Sequence, residues 1–426
     1  MGLKRYKLGD LLEVTRGQSL AGEFYAEEGK YIRLTLGNFD YANGGFKPNT
    51  SKTNLYYTGP IKEQFILEEG DIITPLTEQT PGLLGSTARI PVSGTYIQSQ
   101  DVALVRCKDG MLDPAFCYYL LPSSSVKKQL AAGAQQTKIR HTSPDKIKDV
   151  VVDIPDISEQ RRIGQLLDAI THKIELNRSI NQNLEALAKQ LYDYWFVQFD
   201  FPNKEGRPYK SNGGKMVWNE KLKREIPDGW EAVSVNDISD SYRGVSYAKD
   251  DLVDEQHGLL VLRGNNIQNS QLVFDSNVAY IPESFVSDEQ KIRKGHIIMT
   301  MSSGSKEHVG KCVLFHHEPN ETYGAFLTKF VPHAFCSNLL YNVFNSDYFK
   351  SIIKSTASGT GINNLTNQTF DNIFIAMPPM ELLQKYDALQ DQLFGEVGNL
   401  QQNTWNLIKQ RDELLPLLMN SQVTLE

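Results

Sequence analysis

Residues 156–200 read DISEQRRIGQLLDAITHKIELNRSINQNLEALAKQLYDYWFVQFD. Ten positions in this stretch alternate between spacings of four and three, and eight of them are apolar: Ile163, Leu167, Ile170, Ile174, Asn177, Asn181, Leu184, Ala188, Leu191 and Trp195. This heptad spacing predicts a helix that presents one seam to a partner helix. At about 1.5 Å per residue the helix would be roughly 50–60 Å long, which is far longer than an ordinary core helix.

A second stretch with the same period lies near the C-terminus. Five residues recur there at every seventh position: Tyr386, Leu393, Leu400, Leu407 and Leu414. Each lies 223 positions after a seam position of the first stretch. An isolated amphipathic helix would leave its apolar stripe in water, so we expect the two helices to pack as an antiparallel coiled coil. Asn177 and Asn181 would either fix its register or face solvent at its edge.

The remainder of the chain also contains an internal repeat. Matching residues recur at a nearly constant distance: Arg16-Gly17 with Arg243-Gly244, Gly37-Asn38 with Gly264-Asn265, Gly85 with Gly310, and Pro155 with Pro378. The distance is 227 positions for the first two pairs, 225 for the third and 223 for the fourth. Short loop deletions produce such small steps, so one unit of roughly 200 residues is present in two copies.

The repeat and the helix patterns together predict the architecture. Short β-rich runs followed by helical stretches indicate α+β units. We therefore predict an α+β protein in which two tandem homologous domains are joined by two long antiparallel coiled-coil helices, with pseudo-two-fold symmetry. The predicted parts are a first domain at 1–155, a first helix at 156–200, a linker at 201–228, a second domain at 229–378 and a second helix at 379–420. Residues 201–224 carry seven basic and two acidic residues; we interpret them as a solvated linker, with a phosphate or partner contact as the alternative.

Composition excludes several classes of protein. The 426 residues include 44 Lys and Arg against 51 Asp and Glu, a net charge of -7 that does not favour tight nucleic-acid binding by this chain alone, although binding follows local charge. Four cysteines without a C-x-x-C pair do not form a disulfide scaffold. No apolar run reaches the roughly 18 residues of a membrane helix. We expect a cytoplasmic protein with no membrane partner.

Motifs for catalysis are absent from the sequence. Residues 304–312 resemble a phosphate loop, but five residues separate the glycines and Cys312 stands where Ser or Thr would hold magnesium. Cys312, His316, His333 and Cys336 are metal-ligand types, yet the first copy has Thr87 and Pro91 where the second has Cys312 and His316, so we interpret these residues as core thiols and surface histidines. Methyltransferase, nuclease and nucleophile motifs are also missing. We expect a non-catalytic chain that binds no metal or cofactor.

Polar loops that recur in both copies hold the candidate nucleic-acid contacts. Two similar domains at a fixed separation suit a ligand that itself repeats, as B-DNA does about every 34–36 Å. Asn and Gln suit adenine, Lys and Arg suit guanine or phosphate, and Ser and Thr suit either. The candidates in the first copy are Arg16, Gln18, Ser19, Asn38, Thr77, Gln79, Thr80, Lys138 and Arg140. Those in the second copy are Arg243, Tyr247, Asn265, Asn266, Ser302, Ser303, Lys306, Asn363 and Asn364. Each is alternatively an ordinary turn residue, whereas the paired glycines at 17 and 244, and at 85 and 310, indicate backbone requirements.

Several longer motifs resemble a known family, the specificity subunits of Type I restriction-modification systems. They are the helix opening Pro155-x-x-x-Glu159-Gln160-Arg161-Arg162-Ile163, the helix body Gln182-Asn183-x-Glu185-Ala186-Leu187-Ala188, the exit Phe199-x-Phe201-Pro202, and the junction Gly213-Gly214-Lys215-Met216-Val217-Trp218-Asn219 with Glu225-Ile226-Pro227-Asp228-Gly229-Trp230. The resemblance covers essentially the whole chain. The second copy departs from it, because it keeps Gln384 but lacks the Glu-Gln-Arg-Arg-Ile run.

The resemblance implies a function. Each domain would be a target-recognition domain that reads one half of a bipartite site in double-stranded DNA. The helices would set the gap between the half-sites and dock two methyltransferase (modification) subunits and, through them, restriction/translocase subunits. S-adenosylmethionine, ATP and magnesium would be bound by those partners. Because the loops differ between the copies, we predict unlike half-sites. The alternatives are a coiled-coil-bridged protein-interaction scaffold that does not bind DNA, and an enzyme active by itself.

Overall fold

The computed structural model describes residues 2–41, 44–78, 82–133, 140–268, 271–273, 278–304, 308–356 and 363–423. The chain divides into two compact units. The first unit comprises Met1–Leu176 with Asn403–Glu426, and the second comprises Asn177–Gln402. Each unit contains helices and sheets, so the prediction of an α+β protein is confirmed.

The first unit contains short strands and mostly short helices. Its strands are β1 (Lys4–Lys7), β2 (Leu12–Arg16), β3 (Tyr25–Ala26), β4 (Tyr31–Arg33), β5 (Tyr56–Tyr57), β6 (Ile72–Pro75), β7 (Thr77–Glu78), β8 (Ala88–Arg89), β9 (Tyr96–Ile97), β10 (Val102–Cys107), β11 (Arg140–His141) and β12 (Val151–Ile154). Its helices are α1 (Leu8–Leu11), α2 (Pro114–Leu120), α3 (Ser124–Gly133), α4 (Pro144–Lys148) and the first part of α5 (Ile157–Tyr192).

The main sheet of the first unit is antiparallel, with the strand order β2-β10-β6-β8. Side chains alternate between the faces of a strand, and accordingly Ile72 and Ile73 belong to two different hydrophobic clusters. One face is covered by α2, α3 and the start of α5, and the same cluster includes Leu418 near the end of the chain. The other face packs against the small sheet β3-β5-β4-β9. Both faces are therefore buried, which explains why all four residues of β6 are buried.

The second unit has more strands and a second long helix. Its strands are β13 (Met216–Asn219), β14 (Arg224–Pro227), β15 (Glu231–Ser234), β16 (Ser239–Arg243), β17 (Leu259–Leu262), β18 (Ile267–Gln268), β19 (Gln271–Leu272), β20 (Tyr280–Ile281), β21 (Ile297–Thr300), β22 (Ser302–Ser303), β23 (Cys312–Leu314), β24 (Glu321–Tyr323), β25 (Leu327–Pro332), β26 (Asn363–Asn364) and β27 (Phe374–Met377). Its α-helices are the last part of α5, α6 (Ser337–Asn345), α7 (Asp347–Thr356), α8 (Asn367–Asp371) and the first part of α9 (Met380–Met419). The last part of α9 belongs to the first unit.

The sheets of the second unit repeat those of the first. The main sheet has the order β16-β25-β21-β23, whose members correspond in turn to β2, β10, β6 and β8. Two further pairs, β15 with β27 and β22 with β26, correspond to β1 with β12 and β7 with β11. Ile297 and Ile298 divide between two clusters exactly as their counterparts in β6 do. The two copies therefore share their sheet topology as well as their sequence pattern.

The first long helix buries its heptad seam. Ile163, Leu167, Ile174 and Ala188 are buried, and Ile170, Leu184 and Leu191 are half-buried. The α-helix ends at Tyr192, earlier than the 200 predicted, and a turn of π-helix follows at Asp193–Val197. Trp195 and Phe196 lie in this turn and are buried in the core of the second unit. Asn177 and Asn181 are buried, so the reading in which they face solvent is wrong.

The second long helix buries more than its apolar positions. Tyr386 is buried, but Leu393, Leu400, Leu407 and Leu414 are only half-buried. Positions four residues after every seam residue complete the heptad, and most of these are buried: Gln390, Val397, Thr404 and Leu418. In the second unit the Gln390 Nε2 donates to the Ala188 carbonyl oxygen at 2.8 Å and to the Tyr386 hydroxyl at 3.1 Å. The sequence pattern identified only the first of these two sets of seam positions, because some residues of the second set are polar.

The segment between the first long helix and the second domain is folded. Phe201 stacks on Tyr209 and Trp230, with ring centroids 4.7 and 5.1 Å apart. Strands β13 and β14 pair within the segment, and Ile226 is buried. The Arg224 Nη2 donates to the Phe196 carbonyl oxygen at 3.2 Å. The interpretation of 201–224 as a solvated linker is therefore wrong, because Phe201 is buried in a core and Tyr209 packs against that core.

Candidate nucleic-acid interface

In the first unit, the chain after β2 lies directly on the segment before β10. The Gln18 backbone N–H donates to the Gln98 carbonyl oxygen at 3.2 Å. A Cβ atom on Gly17 would overlap the carbonyl oxygens of Ser99 and Gln98. Only glycine permits so close an approach of two backbones.

The second unit has the same arrangement. The Val245 N–H donates to the Tyr323 carbonyl oxygen at 2.8 Å, and a Cβ on Gly244 would overlap the carbonyl oxygens of Gly324 and Tyr323. Gly85 and Gly310 both have positive φ, at 86° and 82°. The prediction that these paired glycines meet backbone requirements is confirmed.

The paired arginines are anchored in the same way in both units. The Arg16 Nε donates to the Gln100 carbonyl oxygen at 2.8 Å, and the Arg243 Nε donates to the Ala325 carbonyl oxygen at 3.2 Å. Both side chains remain exposed. One bond to backbone therefore orients each guanidinium while its outer edge faces solvent, an arrangement suited to a bidentate contact.

Two loops that the sequence left separate are paired in each unit. Strands β7 and β11 match Thr77 with His141 and Glu78 with Arg140. Strands β22 and β26 match Ser302 with Asn364 and Ser303 with Asn363. Within the described residues, the structure thus brings 77–78 together with 140–141, and 302–303 together with 363–364.

In each unit, this strand pair and the segment that contains the paired glycine form one surface. In the first unit the Leu76 N–H donates to the Asp101 carbonyl oxygen at 2.9 Å. In the second unit the Met301 N–H donates to the Phe326 carbonyl oxygen at 3.0 Å. We call this surface the loop platform; in the first unit it consists of 16–19, 76–78, 99–101 and 140–142. In the second unit it consists of 243–247, 301–303, 324–326 and 363–365.

A buried carboxylate supports the platform of the first unit. The Glu78 Oε2 accepts hydrogen bonds from the N–H groups of Leu83 and Leu84 at 2.7 and 3.0 Å. Its Oε1 lies 3.7 Å from the Arg140 Nη1. Burial, together with the Glu78 charge, raises the pKa of Tyr41 to about 12. Thr77 is buried beside it, so this candidate is not available for a surface contact without rearrangement.

Two of the candidate asparagines, Asn38 and Asn266, are structural. Asn38 is buried: its Oδ1 accepts from the Thr35 N–H at 2.9 Å, and its Nδ2 donates to the Lys47 carbonyl oxygen at 3.3 Å. Asn266 makes the same bonds, with the Arg263 N–H at 2.9 Å and the Val273 carbonyl oxygen at 3.1 Å. The structural counterpart of Asn38 is therefore Asn266, and the sequence match to Asn265 was wrong by one position. Asn265 itself is exposed.

The other candidates have different environments. The Gln18 side chain holds its own loop, donating to the Pro60 carbonyl oxygen at 3.0 Å and accepting from the Lys62 N–H at 3.4 Å. Ser19 is exposed, Tyr247 packs beside a small core, and Ser302 and Ser303 are half-buried. Gln79, Thr80, Lys138 and Lys306 lie outside the described residues, and Asn363 and Asn364 are described only as strand β26.

Sequence reasoning missed the segment 99–101 and its counterpart 324–326. The repeat itself was the signal, because a shift of 225 aligns Asp101 with Phe326. Phe326 is 66% exposed and Asp101 is partly exposed. Likewise Glu78 aligns with Ser303. The platforms thus have one backbone frame and different side chains.

A cavity of about 520 Å³ adjoins the platform of the first unit. Ser99, Gln100 and Asp101 line it together with Arg33 and Tyr25. Arg33 is buried, lies 3.8 Å from the centroid of the Tyr25 ring, and donates to the Asn54 carbonyl oxygen at 3.1 Å. These bonds commit the Arg33 guanidinium to holding the wall of the cavity.

The cysteines and histidines of the second copy, which are metal-ligand types, do not form one cluster. Cys312 and Cys336 are buried, and His333 is exposed. His316 stacks on Phe394 at 4.4 Å, and burial lowers its pKa to about 4, so the interpretation of His316 as a surface residue is wrong. Among the residues that the structure describes, no group of three or more His, Cys, Asp or Glu side chains is arranged to hold a metal. No helix within the described ranges combines the length and hydropathy needed to cross a membrane.

Comparisons with known proteins find similarity to one family. The model of the Type I restriction modification DNA specificity domain matches residues 2–186. The specificity subunits of Type I restriction enzymes StySPI (Salmonella potsdam) and EcoKI (Escherichia coli K12) are each 30% identical over 208 residues, which cover 47% of this chain and 44% of each relative. The chain thus matches less than half the length of these two proteins. The MjaIX specificity subunit of Methanocaldococcus jannaschii is 26% identical over 327 residues, covering 75% of this chain and 71% of the relative.

A solved structure supports the fold. The S subunit of a Type I restriction-modification system from M. genitalium aligns with a TM-score of 0.60 at 17% identity, covering 98% of this chain and 96% of that one. At this identity the likeness concerns the fold alone. The family model, the curated relatives and the earlier sequence motifs agree, and the chain is similar to the specificity subunits of Type I restriction-modification systems.

Proposed function

We propose that the chain is the DNA sequence-specificity subunit of a Type I restriction-modification complex, in which each unit reads one half of a bipartite site. One observation carries the proposal: the loop platform occurs in both units with the same backbone bonds and unlike side chains. A shared frame with variable residues is what recognition of two different sequences requires.

The chemistry of the platforms suits bases and phosphates. Arg16 and Arg243 are exposed and oriented, as a bidentate contact to guanine or phosphate needs. In the first platform Arg140 adds a second cation, whereas Asn363 occupies the matching position of the second. Asp101 and Glu78 of the first copy occupy the positions that Phe326 and Ser303 occupy in the second. Because these residues differ, the two half-sites are expected to be unlike and the whole site asymmetric.

The long helices supply the rest of the proposal. We propose that they form an antiparallel coiled coil with pseudo-two-fold symmetry that sets the gap between half-sites. Within the second unit Gln390 bonds to Ala188, and within the first unit Leu418 joins the cluster of Ile163 and Leu167. Both pairings have the sense that an antiparallel arrangement requires.

Apolar residues outside the seam support docking of partners. Leu176, Ile180 and Leu187 are exposed along α5 at spacings of four and seven, and Trp405 is exposed on α9. Exposed apolar stripes of this kind mark protein interfaces. We propose that two methyltransferase subunits bind these helices and that restriction/translocase subunits join through them.

Catalysis belongs to the partners in this proposal. The chain itself would be non-catalytic and bind no cofactor, and S-adenosylmethionine, ATP and magnesium would bind to the partner subunits. The complex would act on double-stranded DNA in the cytoplasm. Target adenines would be flipped out of the duplex by the methyltransferase subunits.

Sequencing of methylated adenines in cells with and without this chain tests the function. We expect one bipartite motif with unlike halves, present only when the chain is expressed. A palindromic motif would contradict the asymmetry. Absence of any chain-dependent motif would contradict the function.

Binding by the assembled complex separates the function from a protein scaffold. A short duplex that carries the methylated motif is expected to bind with an affinity that falls steeply with salt, because phosphate contacts release counterions. A scaffold that does not read DNA would bind motif and scrambled duplexes equally. Methylation or cleavage by the chain without partners would instead support an enzyme.

A further inference from the structure

The platform of the second unit presents an exposed phenyl ring. Phe326 is 66% exposed, the highest value among the large hydrophobic side chains described. An exposed ring contributes little to the stability of the fold, because the hydrophobic effect stabilises a ring only when it is buried.

The backbone around the ring is held by several bonds. The Phe326 carbonyl oxygen accepts from the N–H groups of Met301 and Ser302 at 3.0 and 3.3 Å. The neighbouring Ala325 carbonyl oxygen accepts from the Arg243 Nε at 3.2 Å, and the Leu327 N–H donates to the Gly324 carbonyl oxygen at 2.9 Å. The ring is therefore set at a defined place between two groups of candidate DNA contacts.

The first unit has the same backbone with a different residue. The Asp101 carbonyl oxygen accepts from the Leu76 N–H at 2.9 Å, and Arg16 bonds to the preceding Gln100 carbonyl oxygen at 2.8 Å. A carboxylate thus occupies the place of the phenyl ring. The Val102 N–H also donates to the Ser99 carbonyl oxygen at 3.1 Å, so three of the four bonds around the ring are repeated without it, and the exposed ring is not needed to build the loop.

We propose, resting on the function proposed above, that Phe326 is a specificity-determining residue of the second unit that packs against the C5-methyl group of a thymine in the major groove. That methyl is the apolar feature of the major-groove edge, and apolar side chains contact it. The flanking Arg243 and Ser302 supply the polar contacts that fix the ring against the base edge. In the first unit, Asp101 cannot make such a contact.

The test uses the assembled complex of this chain with its methyltransferase subunits. Duplexes carry the methylated motif with each thymine of the second unit's half-site replaced in turn by uracil, which removes only the methyl group. At one position we expect affinity to fall about three- to fourfold, the effect of one buried methyl group. The variant Phe326→Ala is expected to bind thymine and uracil equally at that position.

The matched control is Phe335→Ala. Phe335 is also exposed, at 42%, but follows the opposite end of β25. This variant is expected to keep the full preference for thymine. Both variants remove an exposed ring, and size-exclusion chromatography with the methyltransferase subunits checks assembly.

Three results would overturn the inference. One is a wild-type complex with no thymine preference in that half-site, and another is a preference that Phe326→Ala leaves unchanged. The third is loss of assembly in Phe326→Ala but not in Phe335→Ala, which would make the ring a partner contact. A wild-type complex that binds no specific duplex would contradict the proposed function itself and is therefore distinguishable.

Discussion

Removal of the buried Glu78 carboxylate is expected to destabilise the loop platform of the first unit, so that it opens locally more often. The change Glu78→Ala leaves the N–H groups of Leu83 and Leu84 without their acceptor, because both donate to the Glu78 Oε2 at 2.7 and 3.0 Å. It also removes the charge 3.7 Å from the Arg140 Nη1. The strand pairing of Glu78 with Arg140 would persist only through the backbone.

The magnitude follows from these contacts. A hydrogen bond to a charged group contributes about 1.5–3 kcal/mol, so the loss of two costs about 3–6 kcal/mol in the free energy of local opening. The Arg140 ion pair adds less than about 1 kcal/mol, since it is longer than a hydrogen bond and the arginine is partly exposed. Glu78→Gln keeps a neutral acceptor for both amides and is expected to cost roughly half as much.

Hydrogen exchange measured by mass spectrometry reports this opening directly. Because about 1.4 kcal/mol corresponds to a factor of ten, amides of residues 82–90 are expected to exchange at least about 100-fold faster in Glu78→Ala than in the wild type. The control Glu13→Ala removes an exposed carboxylate from β2 and is expected to leave this exchange unchanged. Equal exchange in Glu78→Ala and Glu13→Ala would refute the assignment of a supporting role to Glu78.

Four further predictions concern the backbone, the seam, the helix surface and pH. Gly17→Ala and Gly244→Ala are each expected to lower the melting temperature, measured by calorimetry, because the added Cβ overlaps carbonyl oxygens; unchanged melting would contradict the close approach. Gln390→Leu is expected to change the urea midpoint by little and Gln390→Ala to lower it, because leucine refills the site and removes the unpaired Gln390 Oε1. Leu187→Ser is expected to weaken co-purification with methyltransferase subunits without changing melting, since Leu187 is 49% exposed. Burial lowers the pKa of His316 from 6.5 to about 4, so the unfolded chain binds more protons between these values and stability falls as pH drops from 6.5 towards 4; His316→Phe is expected to flatten this fall in pH-dependent unfolding curves.

The long helices illustrate how far a local pattern reaches. Ile163, Leu167 and Ile174 are apolar at heptad spacing, and they are buried. Gln390 and Thr404 occupy equivalent seam positions and are buried too, yet no hydrophobicity pattern includes them. Gln390, for example, is paired with the Ala188 carbonyl oxygen, about two hundred residues away in the chain.

The candidate loops show a second limit. Residue type alone made Asn38 and Arg16 equal candidates. In the fold Asn38 is buried and bonded to its own turn, while Arg16 is exposed and anchored by one backbone bond. Phe326 was not a candidate because an apolar residue before a strand predicts core, and only the tertiary structure exposes it.

The sequence by itself determined the repeat, the two long helices, the backbone glycines and the family resemblance. These features depend on residue identity and spacing along the chain, which are visible without coordinates. Tertiary structure alone decided which polar residues are buried, that the segment after the first helix is part of a core, and that loops some sixty residues apart pair into one platform. Burial and backbone pairing are set by contacts between distant segments, and a single sequence carries no local signal for them.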